Sequence, residues 1–513
     1  MNRKKKIWII LLLAAAAVGT LWYSARYVLV DFQSYPRNAA QLDLRSEDIS
    51  VSHYKKLSGK LPECEILWNV PFQGTLYPQD TREVTVEALT AEEADTLASC
   101  FPDLRTVHAE ACTDYENLLT LRQRRPDVKV MYRVKLDGNA YPASAVRIAL
   151  GGITAQELER LPYLTVLKTV AVRGGDGENL AKLREYCREN GIAFQLELGG
   201  EVIPEDAKEI TVSGAAEESL TLLQFLPELE SLHLVLPEAS AEALIRLREE
   251  YPNVDISWEQ EICGKVFSTR ETYEEIDLSD TDIRSLDLVD QGMAYFPEAD
   301  QVFLGLCGID NQAVAAFRER TRDKYKVVWT VTCGKKLTAR TDDRSFMPVR
   351  EGVYYFNDAE AYNLRYCEDM VCIDIGHMSI HDVDFLKFMP DLEYLILAHT
   401  QITYIEPIRN CKKLKFLEVD WTPIKDFSPL ADCTGLEDLN IGKTWADVEP
   451  LKQLTWLNNL WMVFRSASAY ELTVALPDTR VVCSGEATVD SGWRDLPNYF
   501  AMRDELGMYY MTW

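Results

Sequence analysis

Apolar positions in the last third of the 513-residue chain recur with a period of 22. Met370, Leu392, Leu414, Leu436 and Leu457 are spaced 22, 22, 22 and 21 apart, and each opens an L-x-x-L-x-L row. The rows continue as Ile373/Ile375, Leu395/Leu397, Leu417/Val419, Leu439/Ile441 and Leu460/Met462. Further down each unit come Ile380, Ile402 and Ile424, then Val383, Ile405, Phe427 and Val448, with Pro407, Pro429 and Pro450 before Ile408, Leu430 and Leu451. Such a unit predicts a short strand with alternate side chains inward, then a turn and a helical or extended return. One unit cannot bury its apolar edge, but a stack can.

A longer period lies upstream. Strand-like runs end at Trp68, Tyr132, Leu196, Trp258 and Trp329, spaced 64, 64, 62 and 71 apart, and Gly74, Gly138, Gly264 and Gly334 follow four of them. A second strand is predicted around Val84, Ile148, Ile210 and Ile276, and a third after Pro102, Pro162, Pro227 and Pro297. Thr90/Glu93 and Thr154/Glu157 carry the capping-box spacing at the same 64-residue offset. Helices are predicted over 179–190 and 241–250. Three strands per unit is close to one strand per 21 residues, which points to a degenerate leucine-rich-like array continuous with the regular one. The alternative is a set of separate small α/β modules.

Units such as LEYLILAHTQITYIEPIRNCKK and LKFLEVDWTPIKDFSPLADCTG resemble the bacterial internalin-like leucine-rich repeats over residues 367–465, about a fifth of the chain. The family's asparagine position holds Thr400, Thr422 and Thr444 here, and hydroxyls bond a turn backbone less completely than an amide. The resemblance implies an α/β leucine-rich-repeat solenoid, a curved parallel sheet built for binding rather than catalysis. The expected organisation is a cytoplasmic basic tail at 1–6, a transmembrane anchor at 7–30, a juxtamembrane segment at 31–60, degenerate repeats at 61–345, regular repeats at 346–470 and a C-terminal cap at 471–513.

The anchor is read from Arg3–Lys6 preceding an uncharged stretch at 7–25, with Trp8, Trp22 and Tyr23 near its ends. Nineteen residues span about 28 Å as a helix, close to a bilayer core. The basic flank predicts a single-pass protein with a cytoplasmic amino terminus and an extracellular body. A cleaved signal peptide is the alternative. Net charge is −27, which disfavours nucleic acid as a partner.

Candidate chemistry is sparse. There is no Cys-x-x-Cys, His-Glu-x-x-His or Gly-x-Ser-x-Gly, so the expectation is a non-enzyme with no cofactor and no metal. Cys367, Cys411 and Cys433 share a repeat position with Met389, which predicts apolar packing rather than disulfides. The glycine-rich 173–178 and the aspartate-rich 277–290 read as loops.

The residues flanking the second and third apolar positions of each row should face outward in columns. One column is His377, His399, Trp421, Lys443 and Phe464; its neighbours are Cys372, Tyr394, Phe416, Asp438, Asn459 and Asp374, Ile396, Glu418, Asn440, Trp461. Aromatic residues bare on a surface mark partner sites, so His377, Tyr394, His399, Phe416, Trp421, Trp461 and Phe464 are the candidate ligand-binding residues, for a protein or a cell-surface glycan. The competing reading is that the chain's own tail, 491–513, covers this face. An amphipathic helix is predicted over 493–506.

Overall fold

The computed structural model describes residues 8, 18–20 and 22–508. Among these no helix is long and apolar enough to cross a membrane; the expected span at 7–25 lies mostly outside the described residues. Tyr27–Val30, assigned by sequence to the end of that anchor, is instead a strand paired antiparallel with Gln33–Pro36. Val28 and Val30 alternate inward from it, the pattern of a half-buried strand rather than a lipid-facing helix. The segment expected to be juxtamembrane also holds the strand Gln41–Asp43 and the helix Val51–Lys60.

The chain divides into two compact units, Met1–Leu232 with Asn253–Asp255, and His233–Pro252 with Ile256–Trp513. In the first, the 64-residue period appears as separate sheets. Glu83–Thr85, Thr106–Ala109 and Lys129–Leu136 pair in parallel, and Asn139–Pro142 closes the edge antiparallel. Arg147–Leu150, Thr169–Val172, Ala193–Leu198 and Glu201–Pro204 repeat that arrangement. Both capping boxes form, at Thr90/Glu93 and Thr154/Glu157.

The continuous upstream sheet expected from strand spacing is therefore interrupted, and the cause is the turns. Asp137-Gly138 and Gly199-Gly200 both have positive φ at their two residues, the requirement of a tight two-residue hairpin. Each hairpin folds a return strand onto the edge that the next unit would otherwise extend.

The second unit contains a three-stranded parallel sheet, Glu275–Asp277, Gln301–Phe303 and Lys326–Val328, and then the regular repeats. Seven parallel strands run in chain order from Ser345–Phe346 to Arg480–Val482. Their register matches the sequence period: Ile373, Leu395, Leu417, Leu439 and Leu460 are successive partners. This is leucine-rich-repeat geometry, and it extends one strand beyond the expected boundary at 470.

The returns are short 3-10 turns, Glu406–Asn410, Ser428–Asp432 and Glu449–Gln453, with Pro407, Pro429 and Pro450 in their first turns, where the missing N–H is not needed. Cys367, Met389, Cys411, Cys433 and Leu454 end successive returns. The three cysteines are buried and unpaired, and burial pushes Cys411 and Cys433 up to about 12. Thr400, Thr422 and Thr444 are buried and donate to the carbonyls of Leu397, Val419 and Ile441 at 2.7, 2.6 and 2.7 Å.

Leu417 has no exposed surface and sits in the continuous core of this array. Leu417→Ala should cost about 2–5 kcal/mol in denaturant unfolding. A loss below about 0.5 kcal/mol, a surface-like effect, would contradict the register.

Candidate functional site

The six strands of the regular array from Cys372–Asp374 to Arg480–Val482 are three residues long, so the pleat sends the middle residue to the core and its two neighbours to the other face. That second face is not open. After the strand Arg480–Val482 the chain turns back, forms a 3-10 turn at Trp493–Asp495 and a helix at Pro497–Glu505, and lies across the sheet. Val371, Cys372, Tyr394, Ile396, Phe416 and Trp461 form a second apolar cluster with Trp493, Leu496, Met502 and Leu506. Trp493 sits with ring centroids 4.7 Å from Phe416 and 5.3 Å from Trp461. The helix expected over 493–506 is present in shorter form, and it covers a face rather than the end of the array.

This placement corrects three of the seven candidate residues. Tyr394, Phe416 and Trp461 are 6%, 0% and 0% exposed, closed off by the chain's own strap. The reason is energetic: three large rings on one sheet face leave a broad apolar area that folding buries if any segment can reach it.

Polar contacts tie the strap down. The Trp493 indole N–H donates to Glu418 Oε2 at 2.5 Å, and the Trp461 indole N–H donates to the Asp490 carbonyl at 2.8 Å. The Thr488 hydroxyl donates to Asp420. The Asn440 amide donates to the Thr488 carbonyl at 3.0 Å, and the Asn498 amide to Asp438 at 2.9 Å. A Cβ on Gly442 would lie 2.7 Å from the Thr488 methyl, so the close approach there requires glycine.

The strap also encloses acids. Glu418, Asp420 and Asp438 are 7%, 1% and 2% exposed. Burial, reinforced by the Asp420 charge, raises Glu418; burial raises Asp420 against the Thr488 bond; burial raises Asp438 against the Asn459 and Asn498 amides. Burial also pushes Asp374 up to about 6. Asp420 Oδ1 is enclosed without a hydrogen-bond partner among the described residues. Repeat alignment places these acids in columns; only the strap, which has no repeat register, makes them buried.

The other four candidates are brought together on the surface. His377, His399, Trp421, Lys443 and Phe464 occupy the turn just after each strand, all with left-handed φ of 61°, 56°, 56°, 53° and 71°. Their side chains stack in a ladder. His377 and His399 lie 4.3 Å apart at 15°, and His399 and Trp421 lie 5.2 Å apart at 19°. The Lys443 ammonium sits 3.5 Å from the Trp421 ring centre and 4.5 Å from that of Phe464. Trp421 and Phe464 remain 47% and 48% exposed. Burial, ahead of the neighbouring His377, pushes His399 down, which favours its neutral form at pH 7. Lys443 is the residue the candidate set lacked, although it shares the column; only the geometry shows its cation held between two rings.

A left-handed residue with a side chain costs about 1–2 kcal/mol. Ring stacking is worth about 0.5–1.5 kcal/mol and an exposed cation–π contact about 0.5–1 kcal/mol. Four such contacts do not exceed the cost of five such residues, so the ladder adds no net stability. Strain held in place by surrounding structure clusters at sites of function.

The strap acids give a pH dependence with a definite sign. A carboxyl raised in the closed form holds its proton more tightly there than when released. The strap is therefore firmest near pH 4 and loses that support as pH rises through 6 and above. Carboxylates such as Asp43, held down to about 2 by Arg45, act oppositely on the whole chain, so the readout must be local. Hydrogen exchange over 487–506 should speed up between pH 5 and 8 beyond the intrinsic rate, and Glu418→Gln should flatten that dependence. A profile identical in the two proteins would refute the assignment.

No family model and no curated protein matches the chain. Among solved structures, an internalin C2 of Listeria monocytogenes is similar at 19% identity over 28% of this chain and 77% of its own, with a TM-score of 0.19. A second Listeria monocytogenes internalin is similar at 13% identity over 89% of this chain and 91% of its own, with a TM-score of 0.21. A leucine-rich-repeat protein of Leptospira interrogans is similar at 11% identity over 82% of this chain and 79% of its own, with a TM-score of 0.18. The repeat geometry of this chain is read from its own strand register.

Proposed function

We propose that this chain is a non-enzymatic binding protein whose regular repeats present the exposed ladder His377, His399, Trp421, Lys443 and Phe464 to a protein partner. The observation that carries the reading is the ladder: five successive turns holding bulky residues in the left-handed conformation, stacked and exposed, at no net gain to stability. Rings and a cation around a rigid centre are the composition of binding hot spots.

The stacking also favours protein over glycan. Sugars bind the open faces of aromatic rings, but the Trp421 ring has His399 and Lys443 as its neighbours in the stack. What the ladder offers is edges: indole and imidazole N–H groups and an ammonium. These suit carbonyl and carboxylate acceptors on a protein surface.

The sequence adds a location to the proposal: a single-pass membrane anchor at 7–25 with the body outside the cell. It predicts that the full chain stays with membranes through high-salt and carbonate washing. Release of a mature form beginning near residue 26 would instead show cleavage.

The binding reading is tested with soluble 26–513, which keeps the strand Tyr27–Val30, and its Trp421→Ala variant. The variant should lose partner retention about thirty-fold or more, the effect of removing a hot-spot ring worth about 2 kcal/mol. Its Tm should move by no more than about 4 °C, the shift for roughly 1 kcal/mol in a domain of this size. Equal retention by the two proteins would remove the ladder from consideration.

A further inference from the structure

The strap resembles a bound ligand more than a layer of core. Its own donors to the acids of the sheet are one indole, one hydroxyl and one amide, at Glu418, Asp420 and Asp438, and from the other side the Trp461 indole, the Asn440 amide, Arg344 and Arg350 bond to it. Its apolar contacts with Phe416 and Trp461 form a cluster distinct from the main core of the repeats. The main core is complete beneath it: Leu395, Leu417 and Leu439 are fully buried on the opposite side of the same strands.

The charges on the two sides do not match. The floor brings Asp374, Glu418, Asp420 and Asp438. From the strap, the cation acting on Asp374 and Glu418 is Arg494, while Asp420 meets a neutral hydroxyl and Asp438 a neutral amide. His399 approaches Asp420 only to 3.9 Å, from the ladder side. One oxygen of Asp420 is enclosed and unbonded among the described residues. A buried carboxylate left without a full set of partners is costly, so an occupant that brought an ammonium or guanidinium to these positions would be held better than the strap itself.

We propose that residues 484–508 are a displaceable lid on a second binding face, whose floor of Tyr394, Phe416, Trp461, Glu418, Asp420 and Asp438 takes a cationic, aromatic peptide segment in the lid's place. An aromatic side chain of that segment takes the Trp493 position between Phe416 and Trp461. Its basic side chains take the positions of Thr488 and Asn498, where they form charge-assisted bonds in place of neutral ones. Burial raises the Glu418 and Asp420 carboxyls beneath the lid, and those cations favour their ionised form. Occupancy is thereby favoured toward neutral and alkaline pH, in the range where the lid itself is weakened. The ladder takes no part, so this proposal stands independently of the binding role assigned to Trp421.

The test uses two labelled synthetic peptides. One copies residues 484–506 and the other carries Thr488→Lys and Asn498→Lys in that copy. Each is titrated by fluorescence anisotropy onto the full chain and onto a full chain with the lid weakened by Trp493→Ala. The lysine peptide should bind the weakened chain at least about tenfold tighter than the plain copy at pH 7.5, the return on exchanging neutral for charge-assisted bonds. That ratio should shrink toward one at pH 5, and the wild-type chain should bind both peptides more weakly.

Equal affinity for the two peptides, or no binding of either to the weakened chain, would overturn the proposal. So would hydrogen exchange in which residues 487–506 open only together with strands 394–396 and 416–418, since the segment would then be core and not a lid. Should Trp493→Ala unfold the repeats, the chain with Thr488→Ala and Asn498→Ala, which removes two side-chain bonds and leaves the ring cluster intact, is titrated in its place.

Discussion

The regular array depends on a single constraint: strands three residues long from Cys372–Asp374 to Asn459–Trp461, repeated every 22 or 21 residues, with only the central residue of each facing the core. Ile373, Leu395, Leu417, Leu439 and Leu460 stack in register behind the sheet. A strand's side chains alternate by necessity, so this inward column sends two other columns to the opposite face. Once those columns contain Tyr394, Phe416 and Trp461, the opposite face must also be covered or left as a large apolar patch. The strap is the answer to that requirement, and Trp493 at the junction of Phe416 and Trp461 is its central contact.

Covering an apolar face has an electrostatic consequence. The same columns carry Asp374, Glu418 and Asp438, and Asp420 lies two residues past its strand, so the segment that buries the rings also takes Glu418, Asp420 and Asp438 out of water. Charge burial is tolerated through hydrogen bonds from Trp493, Thr488 and Asn498 and through proton uptake. The apolar contacts thus hold the strap at all pH values, while the acids oppose it increasingly as pH rises. A segment held by a pH-independent apolar term against an electrostatic term that grows with pH is suited to release.

The ladder follows from the turn geometry at the ends of those strands. Each turn needs a left-handed residue, and the chain fills that position with His, His, Trp, Lys and Phe instead of glycine or asparagine. Register then lifts successive side chains into a stack, one repeat apart. The strap leaves this column uncovered because it crosses the strands and reaches the turns only at Asp420 and Gly442, the residues just before Trp421 and Lys443. Two neighbouring sets of aromatic residues, similar in sequence, consequently have opposite fates: one buried under the chain's own tail, the other exposed at the rim.

Periodicity alone determined the repeat register, the identity of the core residues from Met370 to Met462, the packing role of Cys367, Cys411 and Cys433, and the capping boxes at Thr90 and Thr154. Those features are local or repeat at fixed spacing, and side-chain alternation makes them readable from one unit to the next. It also placed His377, His399, Trp421 and Phe464 in one column. Only the tertiary structure decided that Tyr394, Phe416 and Trp461 are buried, that Glu418 and Asp420 lie beneath Trp493 and Thr488, and that the upstream sheets are closed one by one by hairpins. Trp493 lies 75 residues from Glu418 and 77 from Phe416 in the chain, and such contacts obey no period. Whether a given segment folds back onto a face is settled by which apolar surfaces can reach one another, and no single stretch of sequence records that.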